Sequence, residues 1–330
     1  MLWTSFLAVA GGFVLLVWGA DRFVTGAAAT ARNLGVSPLI IGLTIVGFGT
    51  SAPEMLVSAM AAWAGNPGIA VGNALGSNIA NIGLVLGLTA LITPLAVRSE
   101  TLRREFPILF AVMMLTLLLL VDGDLGRMDG VILLAGFGLM MYWLVSLGLR
   151  ERACDPAQQA CDPMQQEFAD EIPADMATGR ALFWVGLGLA VLLLSSRLLV
   201  WGAVNIAQYY GVSDLIIGLT IVAIGTSLPE LAASITGALK GEHDIAIGNV
   251  LGSNMFNLLA VLGLPGLIHP LATPADVMSR DFPVMFGFTV MLFGFAYGFR
   301  GQGRLNRLEG GVLLAAFAAY MGLLFVANTH

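Results

Sequence analysis

The sequence predicts an all-α membrane protein of ten transmembrane helices, arranged as two inverted five-helix repeats. Three observations carry this. Of 330 residues, 58% are hydrophobic and only 11% charged, far below the roughly 25% charge of a soluble domain. About ten apolar stretches approach the roughly 20 residues that cross a bilayer core of about 30 Å. Finally, a long segment recurs at an offset of 176 residues.

The stretches are 5–25, 38–62, 69–93, 106–121, 129–149, 181–203, 214–238, 245–269, 282–298 and 310–327. Several contain Gly or Pro, which membrane helices tolerate when neighbours re-satisfy the backbone. A barrel would need alternating segments of about ten residues instead. A soluble all-α core is excluded because too little polar chain remains to face water. The start, Met1-Leu-Trp-Thr-Ser5, lacks a positive n-region, so the first helix is expected to be retained rather than cleaved.

Loop charge gives the orientation. One alternating set of loops holds Arg32, Arg98, Arg103, Arg104, Arg150, Arg152, Arg180, Lys240, Arg300, Arg304 and Arg307; the other holds only Arg127 and Arg280. By the positive-inside rule the first set is cytoplasmic. Both termini then lie outside and the 150–180 loop inside. The expected organisation is a first half over 1–150, a cytoplasmic linker over 151–179 and a second half over 180–330. Arg22 and Arg197 fall within helices, where snorkelling or local pairing accounts for them. The linker carries both cysteines, Cys154 and Cys161, in a short tandem duplication. Duplications in tolerant loops are cheap, and no nearby His completes a zinc pattern.

The repeat aligns Gly35–Glu54 with Gly211–Glu230, and Ile69–Asn78 with Ile245–Asn254, without a gap. Asn81 and Gly87 match Asn257 and Gly263. Five helices per copy is an odd number, so the second copy enters the membrane from the opposite side, the design of many secondary transporters.

The chemistry is concentrated in the repeated segments. Pro53 and Pro229 each remove a backbone N–H and crowd the carbonyls of Gly49 and Gly225, so helices 2 and 7 should break there. Glu54 and Glu230 follow directly, and a carboxylate at membrane depth is costly enough to imply function. Thr50 and Thr226 lie four residues before the glutamates, on the same helix face, with Ser51 and Ser227 on the adjoining edge. In helices 3 and 8, Ser77 with Asn81 and Ser253 with Asn257 repeat the four-residue spacing. All of these groups offer oxygen and none is Cys or His, which disfavours soft metals and suits a hard cation such as Ca²⁺ or Na⁺. Asn78 and Asn254 point off that face and are expected to make interhelical hydrogen bonds. Asn73 and Asn249 are read as helix-start residues, and glycines 72, 76, 83, 87, 248, 252 and 263 as close-packing positions.

At these residues the chain resembles the cation/calcium exchanger superfamily, which includes the sodium/calcium exchangers. The motifs are Gly49-Thr-Ser-Ala-Pro-Glu54 with Gly76-Ser-Asn-Ile-Ala-Asn81, and Gly225-Thr-Ser-Leu-Pro-Glu230 with Gly252-Ser-Asn-Met-Phe-Asn257. They look like that family's two alpha-repeats, and the chain is similar to the short bacterial members without a regulatory calcium-binding domain. The resemblance implies ten helices with helices 1 and 6 sliding as a gate. It implies cation ligands at Glu54, Glu230, Thr50, Thr226, Ser51, Ser227, Ser77, Ser253, Asn81 and Asn257, plus the backbone carbonyls of Gly47 and Ala223. Some prokaryotic members carry Asp at the position of Asn257, and potassium-dependent members also carry Asp in the second repeat. Asn in both repeats here speaks against potassium co-transport and leaves two charges in the cluster.

The expected function is Ca²⁺/Na⁺ antiport, because one Ca²⁺ neutralises both glutamates and Na⁺ ions would compete for the same oxygens. Protonating both glutamates would neutralise them as well, which keeps Ca²⁺/H⁺ antiport as the alternative. An intramembrane enzyme would need a nucleophile–base pair or a His-rich motif, and His243, His269 and His330 form none. A non-transporting scaffold would not need paired oxygen ligands. The expected partners are inorganic cations as substrates and the lipid bilayer. No basic stripe marks a nucleic-acid surface, and no cofactor or obligatory protein partner is expected. The resemblance places the chain in a bacterial inner membrane as a multi-pass protein.

Overall fold

The computed structural model describes residues 2–35, 47–97, 99–151, 176–241, 243–297 and 303–327. Residues 36–46 of the first repeated motif, Arg98, Arg152, Arg300 and both cysteines lie outside the described residues. The first half runs α1 (Leu2–Asn33), α2 (Gly47–Thr50), α3 (Ala52–Trp63), α4 (Pro67–Ala80), a π-helical segment Asn81–Leu86, α5 (Gly87–Ile92), α6 (Ser99–Leu120) and α7 (Arg127–Glu151). The second half opens with α8 (Thr178–Tyr210) and α9 (Asp214–Ile217), a π segment Gly218–Val222, α10 (Ala223–Thr226) and α11 (Leu228–Lys240). It continues through α12 (His243–Phe256), a π segment Asn257–Val261, α13 (Gly263–Ile268), a π segment Val277–Asp281, α14 (Phe282–Ala296) and α15 (Arg307–Ala327).

Among the described residues, each expected apolar stretch falls mainly on helix in this order. By length and composition, six described helices could each cross a membrane, and the α9–α11 unit makes a seventh with a 41° bend. The remaining stretches are shorter or interrupted, so helix length alone does not return ten spans.

Burial separates centre from rim. The spans Pro67–Ile92 and Ala246–Ile268 are each 78% buried, against 17% for α7 and 33% for α1 and α8. Large apolar side chains such as Trp3, Leu139 and Phe325 stay exposed, as a lipid-facing surface requires. The two central spans cross between the halves, with α4 packed against α9 and the π segment behind it. Glycine permits that approach. A Cβ on Gly72 would collide with the Leu215 carbonyl, and one on Gly218 with the Ile69 carbonyl. Gly248 differs from its match Gly72: among the described residues a Cβ there would meet only the Glu105 carboxylate, at 3.9 Å.

α1 and α8 form a separate antiparallel pair. A Cβ on Gly26 would lie 2.6 Å from the Ala181 carbonyl, and one on Gly188 2.5 Å from the Phe23 nitrogen. Arg22 sits in this pair with its guanidinium 5.1 Å from the Trp184 ring and 5.9 Å from Trp18, so local pairing accounts for it. Arg197 lines a cavity of about 290 Å³ with Met60, Asn66 and Trp201.

Two short strand pairs join the connecting loops. β1 (Leu95–Ala96) pairs antiparallel with β4 (Arg304–Leu305), and β2 (Asp124–Leu125) with β3 (Leu271–Ala272). Each pair unites two loops of the same alternating set, so the loops assigned to one side by charge are also neighbours in space.

Candidate cation site

The twin breaks form as the prolines dictate, and in matching geometry. Ser51 and Ser227 interrupt their helices at φ −88°, ψ 1° and φ −81°, ψ 5°, the sparsely populated bridge region. Pro53 and Pro229 then occupy the first turn of α3 and α11, where the missing N–H costs nothing. The break turns Glu54 and Glu230 inward, and the two side chains are 1% and 0% exposed.

Ser51, Ser77, Asn81, Thr226, Ser227, Ser253 and Asn257 are buried with them, and Thr50 is half-buried. Ser51 and Ser253 hydroxyls each lie 3.4 Å from Glu230 Oε1 and 3.2 Å from one another. These are long for O–H···O bonds, which are usually 2.5–3.0 Å. Ser51 belongs to the first half and Ser253 to the second, so the Glu230 carboxylate is served by both. The Glu54 carboxylate lies within electrostatic reach of Glu230 and beside the Thr226 hydroxyl. That hydroxyl has one proton and closer acceptors, Asn73 Oδ1 at 3.1 Å and the Val222 carbonyl at 3.0 Å. Both Glu54 oxygens are left without a hydrogen bond.

The amides are exchanged across the halves. Asn81 Nδ2 donates to Asn254 Oδ1 at 3.1 Å, and Asn257 Nδ2 donates to Asn78 Oδ1 at 3.0 Å. At the 176-residue offset these are the same bond made twice, once in each direction. Asn78 Nδ2 continues to the Asn254 carbonyl at 3.2 Å. With their NH₂ groups engaged, Asn81 and Asn257 keep Oδ1 unpartnered. The asparagines 78 and 254 therefore make interhelical bonds, as their position off the Ser-to-Asn face suggested. The π segments start at Asn81 and Asn257 themselves, and such bulges recur at functional sites.

Asn73 and Asn249 are not helix-start residues. Each lies inside a 14-residue helix, α4 and α12, and each touches the cluster: Thr226 donates to Asn73, and Thr50 to Asn249 at 3.5 Å. Sequence reasoning passed over them because a polar residue early in an apolar stretch resembles a cap. The signal available was their identity in both repeats. The two backbone carbonyls also differ in their situation. Gly47 opens α2, whereas the Ala223 carbonyl already accepts from Ser227 N at 3.1 Å and from the Thr226 hydroxyl at 3.3 Å.

The model of the family described as "Sodium/calcium exchanger protein" matches residues 4–146 and 180–326. The chain belongs to this family. The match leaves out the linker and spans both halves. The chain is 53% identical over 314 residues to "Putative antiporter CaxA" of Alkalimonas amylolytica, covering 95% of this chain and 96% of the relative. It is 31% identical over 352 residues to sodium/calcium exchanger MaX1 of Methanosarcina acetivorans, covering 98% and 99%. The solved sodium-calcium exchanger NCX_Mj, soaked with Na⁺ and Sr²⁺, superposes with a TM-score of 0.65 at 32% identity, covering 98% of this chain and 99% of that one. This member of the exchanger family is thus a multi-pass helical membrane protein with the fold of a membrane antiporter.

For a member of that family the chemistry of the cluster is informative. Among the described residues, six buried oxygens of the expected ligands have no hydrogen-bond partner: both of Glu54, Oε2 of Glu230, the amide oxygens of Asn81 and Asn257, and Oγ of Ser227. A buried acceptor without a donor costs about 1–3 kcal/mol. Five of the six can only accept, so a positive ion satisfies them and a further hydrogen-bond acceptor does not.

Proposed function

We propose that the chain exchanges Ca²⁺ for Na⁺ by alternating access at one shared site near the bilayer midplane. The ligands are drawn from Glu54, Glu230, Thr50, Thr226, Ser51, Ser227, Ser77, Ser253, Asn81 and Asn257, with the Gly47 and Ala223 carbonyls available once the breaks open. The observation that carries this reading is the set of six unpartnered buried oxygens, which matches the lower end of the roughly six to eight oxygens that Ca²⁺ takes. One Ca²⁺ neutralises the two carboxylates. Na⁺ ions added beside it would leave an excess of positive charge at low dielectric, so the two cargoes exclude each other, and exclusion plus alternating access is antiport.

The same proposal includes ten spans, halves at 1–150 and 180–330, and a cytoplasmic linker at 151–179. Both termini face outward in a bacterial cell membrane. The reciprocal Asn81–Asn254 and Asn257–Asn78 bonds support the inverted pairing, and the eleven-to-two loop charge supports the orientation.

The test is radioactive Ca²⁺ uptake into proteoliposomes. An outward Na⁺ gradient at matched pH should drive uptake in the wild type, and Glu54→Gln or Glu230→Gln should abolish it. Uptake driven only by a pH gradient, with Na⁺ absent, would replace Na⁺ by H⁺ as counter-ion. Unchanged uptake in both variants would remove the site assignment.

A further inference from the structure

The two halves of the cluster are identical in sequence at Asn73 and Asn249, Ser58 and Ser234, and Ser77 and Ser253, yet they are bonded differently. Asn73 is saturated. Its Nδ2 donates to the Glu54 carbonyl at 3.1 Å and to Ser58 Oγ at 3.0 Å, while its Oδ1 accepts from Ser77 at 3.3 Å and from Thr226 at 3.1 Å. A backbone carbonyl only accepts, which fixes the end of the amide that faces it. Asn249 keeps one of the four equivalent bonds, from Thr50 at 3.5 Å. Its Nδ2 is buried without a partner, and so is the Ser234 hydroxyl that matches Ser58. The difference extends to Asn78, whose Nδ2 donates to the Asn254 carbonyl at 3.2 Å while Asn254 Nδ2 has no partner, but not to the bonds between the amides. The Asn81–Asn254 and Asn257–Asn78 bonds, a few residues along the same two helices, agree to 0.1 Å.

An unpartnered buried NH₂ and an unpartnered hydroxyl that matches its absent acceptor are the parts of a second clamp, left open. We propose that Asn73 and Asn249 are alternating positioning residues, each fastening its own glutamate segment in one access state. In the state seen here Asn73 ties α3 to α4 through the Glu54 carbonyl and Ser58. In the mirror state Asn249 ties α11 to α12 through the Glu230 carbonyl and Ser234, and Asn73 lets go. This rests on the cation-site reading of the cluster and adds what sets its two open directions against each other. The two clamps have the same chemistry, so the bonds lost on one side are regained on the other and neither state is strongly favoured.

The experiment is hydrogen–deuterium exchange on purified protein in detergent, without Ca²⁺ and without an ion gradient, comparing peptides over 52–63 and 228–240. Asn73→Ala removes the clamp closed here, together with the acceptor of Ser77 and Thr226. It should speed exchange over 52–63, slow it over 228–240, and change their ratio about tenfold, the effect of one to two buried hydrogen bonds. Asn249→Ala should move the ratio the other way. Ser58→Ala and Ser234→Ala remove one acceptor each and should repeat the two directions with a smaller change, which keeps the test open if an Asn variant does not fold. Shifts in the same direction for both halves, or a ratio within twofold of wild type in all four variants, would overturn the proposal. Because this readout uses no transported ion, its failure leaves the antiport reading standing. A failed uptake assay likewise leaves the clamp result interpretable.

Discussion

The centre and the rim of this molecule treat the same duplication differently. At the centre, two pairs of amides matched at the 176-residue offset make matched bonds, Asn81 to Asn254 and Asn257 to Asn78. At the rim, Arg104-Glu-Phe-Pro107 matches Arg280-Asp-Phe-Pro283, but the environments diverge. Asp281 is fully buried, 2.6 Å from Arg280 Nε and 2.8 Å from the Tyr320 hydroxyl. Position 144, the match of Tyr320, is leucine, so Glu105 has no such phenol. The amides that cross between the halves have kept a twin across the pseudo-twofold, and this acidic position has not. At the rim the acidic position serves instead as a structural fastening between the π segment Val277–Asp281 and α15.

The largest effect that would break this contrast lies at the centre. Glu54→Gln should weaken Ca²⁺ binding by at least about 100-fold, the scale of removing one partner of a buried charge pair; Glu105→Gln should not approach it. Isothermal titration with Ca²⁺ compares the two, and an equal loss would end the distinction. Asp281→Ala should cost about 2–3 kcal/mol of stability, because it leaves a largely buried Arg280 with only the exposed Asp276, while Ca²⁺ affinity per folded molecule stays within a few-fold. Thermal unfolding in detergent reads the first quantity and titration the second. Asn254→Ala removes the acceptor that orients Asn81 and should lower Ca²⁺ affinity about tenfold with little loss of stability, as outer partners of metal ligands do. Tyr320→Phe should cost about 1 kcal/mol, one buried hydrogen bond, and leave affinity unchanged. Replacing Cys154 and Cys161 together by alanine should alter uptake by less than about twofold, because the sequence gives that loop no metal-binding pattern.

Most of the buried polar cluster is legible in the sequence. Glu54, Glu230 and their Thr, Ser and Asn neighbours stand out because a polar group in an apolar span must have a reason, and because each occurs twice. Asn73 and Asn249 were misread, since spacing along a helix says which face a residue occupies and nothing about the partner opposite. The Ala223 carbonyl illustrates the same limit. The resemblance offers it as a ligand, but Ser227 N bonds to it as an ordinary i→i−4 helix bond and the Thr226 hydroxyl bonds to it as well.

The sequence by itself determined the membrane class, the duplication, the positions of the twin breaks and the oxygen chemistry of the cluster. These follow from composition, periodicity and proline stereochemistry, which are local. Only the tertiary structure decided which half serves which glutamate, that Asn78 and Asn254 hold the amides of Asn257 and Asn81, and that one clamp is shut while its twin is open. Those are relations between segments far apart in the chain, set by how close α4 and α9 can approach over Gly72 and Gly218. Matching residues in the two halves leave them undetermined, because the same local sequence says nothing of the partner that packs opposite it.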